Sequence, residues 1–164
     1  MAIVVENGTG LDNAESYVSV AEADARLANL GYTTWAPLQT VEKEQALRRA
    51  TNYMVQEFRS KWKGARLLST QILDWPRSDV YVDDILIAST IVPLEVKNTN
   101  IDLAIKAAAG DLNPDTTQRV IREKIGPLEQ EFSASGPSRS IFRAAWMSLA
   151  PYLDSYAGSN QVIR

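Results

Sequence analysis

Five cations and two tryptophans, close together in the chain, are the residue types best suited to recognition chemistry. Arg59, Lys61, Lys63, Arg66 and Arg77 surround Trp62 and Trp75 in and just before the stretch KWKGARLLSTQILDWPRSDVYVDD, residues 61–84. Basic residues interleaved with aromatics are what single-strand nucleic-acid binding uses, because cations neutralise phosphates while rings stack on bases. On that reading Lys61, Trp62, Lys63 and Arg66 form the site. The same residues admit a second reading, in which both tryptophans are buried and the bases form salt bridges between subunits. A net charge of −3 and the lack of an RNP-like or zinc pattern favour the second.

Catalytic chemistry has little to work with. The chain has no histidine and no cysteine, which removes the commonest general base, the commonest metal ligand, thiolate zinc sites and disulfides. Serines are plentiful, but no histidine accompanies them, and the adjacent Ser60-Lys61 has the wrong spacing for one helix face. A glycosidase carboxylate pair is defined in space and not in sequence, and no aromatic-rich cleft pattern accompanies one. The glycines of Asn7-Gly8-Thr9-Gly10 lack a following GKS/T and a directly following helix, so they read as a turn and not a phosphate loop. Asp83-Asp84 reads as a turn and not a cation site. A non-enzymatic protein without cofactor or metal is the expectation.

The elements that must position these residues read as mainly α: a small bundle of about four helices, a projecting β-hairpin, a second short hairpin or irregular loop, and extended termini. Residues 2–6, AIVVE, form an extended arm or edge strand. Ser19 and Glu22 make a capping box for a first helix over residues 20–30, stopped by Gly31, with Val20, Ala23, Leu27 and Leu30 as its stripe. Trp35 reads as a core plug. Thr40 caps a long second helix over residues 41–61, with Leu47, Ala50, Met54 and Phe58 on its core face and Tyr53 alongside. Pro76 keeps Trp75 out of helical conformation. Val80-Tyr81-Val82 and Ile85-Leu86-Ile87 flank Asp83-Asp84 as a hairpin. Pro93 opens a third helix, running to Ala109 before Gly110, with Leu94, Lys97, Ile101, Ala104, Ile105 and Ala108 on one face. VIREKI (120–125) and LEQEF (128–132), joined by Gly126-Pro127, alternate charged and apolar residues and predict a hairpin with one wet face. A fourth helix runs from about Ser140 to Leu149.

The length of 164 residues fits a single domain over residues 1–155 followed by a polar tail, 156–164, whose apolar end suits docking. No apolar run is long enough to span a membrane, and the first residues lack the basic start of a signal peptide. Charge comes in alternating blocks: net −4 over residues 1–40, +3 over 41–80, −3 over 81–120 and +1 over 121–164. Such blocks suit head-to-tail self-association, or equally a solvated surface with chance clustering.

Four segments then carry a resemblance: Ser16–Asp24 (SYVSVAEAD), Trp62-Lys63-Gly64, Gln71–Arg77 (QILDWPR) and Arg122–Glu129 (REKIGPLE). In this order the chain resembles a family of tailed-bacteriophage head-to-tail adaptor (connector, head-completion) proteins, often labelled DnaT-like single-stranded-DNA-binding. It departs from their shorter, more aromatic first helix at residues 26–30. The resemblance implies a structural virion protein of the phage neck, assembled in the host cytoplasm. It implies a dodecameric ring between the portal and the next neck or tail-completion protein, with double-stranded DNA passing through the lumen and no membrane partner. Lys63, Arg66, Arg77, Arg122, Glu123, Lys124 and Glu129 would then meet neighbouring subunits or partners. Tyr156, Val162, Ile163 and Arg164 would dock on the portal. The alternative is a single-stranded DNA-binding accessory protein of phage replication.

Overall fold

The computed structural model describes residues 2–113, 122–125, 128–131 and 142–154. Among the described residues four helices carry the fold: α1 (Val20–Asn29), α2 (Thr40–Phe58), α3 (Leu94–Ala109) and α4 (Arg143–Leu149), the last running into a 3-10 turn at Ala150–Tyr152. Six short strands among the same residues pair antiparallel as three separate ribbons. These are β1 (Ala65–Arg66) with β2 (Arg77–Ser78), β3 (Tyr81–Val82) with β4 (Ile85–Leu86), and β5 (Arg122–Ile125) with β6 (Leu128–Glu131). The protein is therefore mainly α, as its sequence leads one to expect. No helix among the described residues is long and apolar enough to cross a membrane.

The first two helices follow from local chemistry. Ser19 Oγ accepts the Glu22 amide proton at 3.2 Å and the Glu22 carboxylate accepts that of Ser19 at 2.7 Å, the reciprocal capping box. α1 buries Ala23 and Leu27 and ends before Gly31, which takes φ +76°. α2 starts one residue earlier than expected. Gln39 is the flanking residue, donating its N–H to Glu42 at 2.7 Å, so Thr40 lies inside the helix instead of capping it. The helix also ends at Phe58 and not at Lys61, because Arg59 caps it and the chain turns away. Leu47, Ala50, Tyr53, Met54 and Phe58 are buried, as the apolar spacing requires.

The face of α3 differs from the one its apolar residues suggest. Leu94 is 65% exposed, while Val96, Thr99, Asn100, Ile101, Leu103, Ala104 and Ala107 are buried. Two polar residues thus belong to the buried stripe. Asn100 explains why: its Oδ1 accepts from Ser16 Oγ and its Nδ2 donates to Thr51 Oγ1, both at 3.0 Å. A buried amide satisfied on both sides is compatible with a core position. α3 packs along α2, and α1 and α4 lie against that pair.

The remaining expectations fall partly outside the described residues. The β5–β6 register pairs Arg122 with Glu131, Glu123 with Gln130, Lys124 with Glu129 and Ile125 with Leu128, so the charged hairpin forms. The expected flanking residues Val120, Ile121 and Phe132, the start of the fourth helix at Ser140, and the tail 156–164 with Tyr156, Val162, Ile163 and Arg164 lie outside them. The N-terminal arm is extended and makes one parallel bridge, Val5 to Ser16.

Candidate nucleic-acid interface

The segment after α2 is ordered by one buried carboxylate. Asp74, 1% exposed, accepts from Arg59 Nε at 2.8 Å through one oxygen and from Trp62 Nε1 at 3.3 Å through the other. Its backbone N–H donates to the hydroxyl of Tyr17 at 3.1 Å. Burial, with the Asp74 carboxylate beside it, pushes the Tyr17 hydroxyl well above its ordinary pKa, so it stays protonated. Gln71, also buried, donates to the carbonyls of Leu73 (2.9 Å) and Pro76 (3.0 Å) and accepts the Leu68 amide proton at 2.9 Å. A carboxylate and an amide inside the loop thus replace the secondary structure it lacks. Sequence gives Tyr17, Gln71 and Asp74 only as members of the SYVSVAEAD and QILDWPR segments, with no role in a site. The one available signal was an acid beside a Trp-Pro pair, in a loop too apolar to lie open.

The tryptophans are part of the core. Trp62 is 4% exposed and Trp75 0%. Trp75 meets Trp62 and Tyr152 edge-to-face, each with centroids 5.7 Å apart, and Phe58 touches both Trp62 and Trp146. Such pairs are the favoured quadrupole geometry. Trp62 therefore offers no face to a base, and the stacking role expected of it is corrected. Residues 152–154 close over the same place: Trp62 bridges Leu153, Lys63 N donates to Tyr152 O at 3.0 Å and Asp154 N to Lys61 O at 2.8 Å.

The five cations divide into two kinds. Arg59 and Lys61 are neutralised by acids, Arg59 on Asp74 and Lys61 on Glu57 at 3.1 Å; the Lys61 ammonium also reaches the Glu57 carbonyl and lies 5.0 Å from the centre of the Trp146 ring. Lys63, Arg66 and Arg77 instead give protons to backbone carbonyls. Lys63 Nζ donates to Pro151 O (2.9 Å) and Tyr81 O (3.3 Å), and Arg66 Nη1 to Gln71 O (3.0 Å). Arg77 donates to Lys63 O and Gly64 O (both 2.7 Å) and to Asp74 O (3.2 Å). Arg77 is 6% exposed, and burial lowers its guanidinium pKa from the ordinary value, opposed by Asp74.

Ribbon β1–β2 carries two of these three, and Lys63 lies two residues before it. Arg66 and Arg77 are direct cross-strand partners, an arrangement that like charges disfavour. Gly64 makes the approach feasible: it takes φ +63°, and a Cβ there would lie 2.1 Å from Ser78 O. A carbonyl holds a cation in place without cancelling its formal charge, whereas a carboxylate cancels it. Both ammonium and guanidinium carry more donors than these bonds consume. Lys63 and Arg66 are therefore positioned cations with no acid partner among the described residues, and Arg77 is a buried third charge. Of the four residues expected of a nucleic-acid site, Lys63 and Arg66 are held by carbonyls, Lys61 pairs with Glu57 and Trp62 is buried.

Other sequence candidates resolve as structure. The amides of Gly8, Gly10 and Leu11 are occupied by the buried Glu6 carboxylate at 2.9–3.0 Å, so the glycine loop closes on its own anion. Asp83 and Asp84, at φ +50° and +63°, form the two-residue turn between β3 and β4. Arg122, Glu123, Lys124 and Glu129 are placed by backbone register on β5 and β6 alone.

One family model, described as "Putative DnaT-like ssDNA binding protein", matches residues 1–164. No curated protein matches the chain, and no solved structure does. The match overturns the expectation of a structural neck ring joining portal and tail: the whole chain falls within a family described by single-stranded DNA binding, not by head-to-tail connection. Lys63, Arg66 and Arg77 are held by carbonyls of their own chain.

Proposed function

The chain belongs to the DnaT-like ssDNA-binding protein family, and from that premise we propose that it binds single-stranded DNA through the β1–β2 ribbon, as an accessory protein of replication that performs no chemistry on the strand. The observation that carries the reading is the fixing of Lys63, Arg66 and Arg77 by carbonyls, which leaves their charge available to phosphate. Phosphate contacts supply most sequence-independent affinity, and pre-positioned cations lose less side-chain entropy on binding than free ones. The experiment is fluorescence anisotropy of a labelled oligonucleotide with wild-type protein and with Lys63→Glu/Arg66→Glu, circular dichroism confirming the fold. Reversing two contacts should weaken binding by at least about tenfold, with duplex DNA a poorer competitor than single strand. Affinity unaffected by the double reversal would sink the proposal.

A further inference from the structure

Residue type points stacking at tryptophans that the fold buries, yet an aromatic does stand exposed beside Lys63. Tyr81 is 53% exposed and its backbone carbonyl lies 3.3 Å from Lys63 Nζ. It opens β3 directly after Val80, which is fully buried against Gly64. The core thus fixes the start of the hairpin while Tyr81 faces out. Its cross-strand partner is Leu86, 56% exposed. Directly opposed residues share one face of a ribbon, so a phenol ring and an aliphatic chain present an apolar surface to water together.

We infer that Tyr81, backed by Leu86, is the platform on which an unpaired base stacks, with Lys63 and Arg66 taking the phosphates on either side of it. The inference rests on the ribbon being the phosphate track. Charge complementarity selects the occupant: the apolar face adjoins Lys63, which has no acid partner among the described residues, and a single strand offers anions and aromatic faces in alternation. A duplex keeps its bases stacked internally and offers only the anions, so the same platform discriminates against it. The hairpin turn presents Asp83 and Asp84, both exposed, at the far end of β3. Their carboxylates repel a backbone running past the tip, which confines the strand to the Lys63 side.

The test compares an oligothymidylate with an abasic oligonucleotide of equal length, identical in phosphates and differing only in bases, by anisotropy at one salt concentration. Wild-type protein should prefer the base-bearing strand by about tenfold, within the range that one stacked base contributes. Tyr81→Phe should keep the preference. Tyr81→Ala should bind the oligothymidylate no better than the abasic strand, with its salt dependence unchanged. A Tyr81→Ala protein that retains wild-type affinity and preference overturns the platform while leaving the phosphate track standing; the apolar face would then belong to a protein contact, which sedimentation would reveal. A wild-type protein that binds neither strand overturns the platform together with the proposed function.

Discussion

Asp74 shows how unequal the two ends of one ion pair are. Its side chain is 1% exposed whereas that of Arg59 is 50% exposed. Arg59→Ala leaves a buried carboxylate with the Trp62 indole as its one remaining side-chain donor among the described residues, and a buried charge that loses its ion-pair partner costs about 3 kcal/mol or more. Asp74→Asn removes the charge and keeps an oxygen for Trp62, while Arg59 returns to water. That change should cost only about 1–2 kcal/mol in denaturant unfolding. The surface-side substitution is thus expected to be the more damaging, and adding Asp74→Asn to Arg59→Ala should restore part of the loss. Tyr17 gives a pH counterpart. Its hydroxyl keeps its proton in the fold beyond the ordinary value, as does that of Tyr152, raised by burial and its bond to Glu95. The unfolded chain therefore releases these protons first, from about pH 10. The stabilisation is complete below that and drains away as pH rises toward the folded-state values. Tyr17→Phe should cost about 1 kcal/mol at neutral pH, through the lost Asp74 amide bond, and should make the alkaline decline measurably shallower.

The elements show where local rules suffice. The α1 capping box, the Pro93–Gly110 limits of α3 and the Asp83-Asp84 turn each depend on neighbours a few residues away, and each reads correctly from the chain. The buried face of α3 does not. Thr99 and Asn100 look like surface residues until Ser16 and Thr51, distant in sequence, provide the partners of Asn100. The candidate site fails to announce itself for the same reason. Lys63 and Arg66 have the right type, but what separates them from Lys61 is whether a carbonyl or a carboxylate lies within reach, a property of tertiary contacts. Ribbon β1–β2 depends in turn on Gly64. A Cβ at φ +63° is strained, and Ser78 O blocks it as well. Gly64→Ala should therefore destabilise the protein by about 2 kcal/mol or more in urea. In molecules that remain folded it should spread Lys63 from Arg66 and lower oligonucleotide affinity. A Gly64→Ala protein with wild-type stability and affinity would show that the close crossing of these strands does not matter. Gly31→Ala makes a useful control, since its Cβ meets nothing within 4 Å.

Over the whole molecule, the proposed function asks a chain of net charge −3 to bind a polyanion through one basic ribbon. Which charge the strand experiences depends on how far fields reach. At about 0.1 M salt the screening length is about 10 Å, so Lys63, Arg66 and Arg77 act almost alone. At about 0.01 M it is about 30 Å, comparable to the molecule, and the acidic blocks on either side of the ribbon in sequence oppose them. Two phosphates neutralised by Lys63 and Arg66 would give log K against log salt a slope of about −1.4, and Arg66→Ala should reduce it to about −0.7. The line should then flatten toward the lowest salt, where the net negative charge is no longer screened. A more basic protein would continue to gain affinity there. An unbroken line down to about 0.01 M would mean that the strand meets a uniformly basic face larger than the ribbon. A slope indifferent to Arg66→Ala would place the phosphates elsewhere. Flattening at low salt is the mark of a locally basic site on an acidic protein. It also bears on specificity: duplex, with twice the charge per length and no base to stack, should lose more than single strand does as the screening is withdrawn.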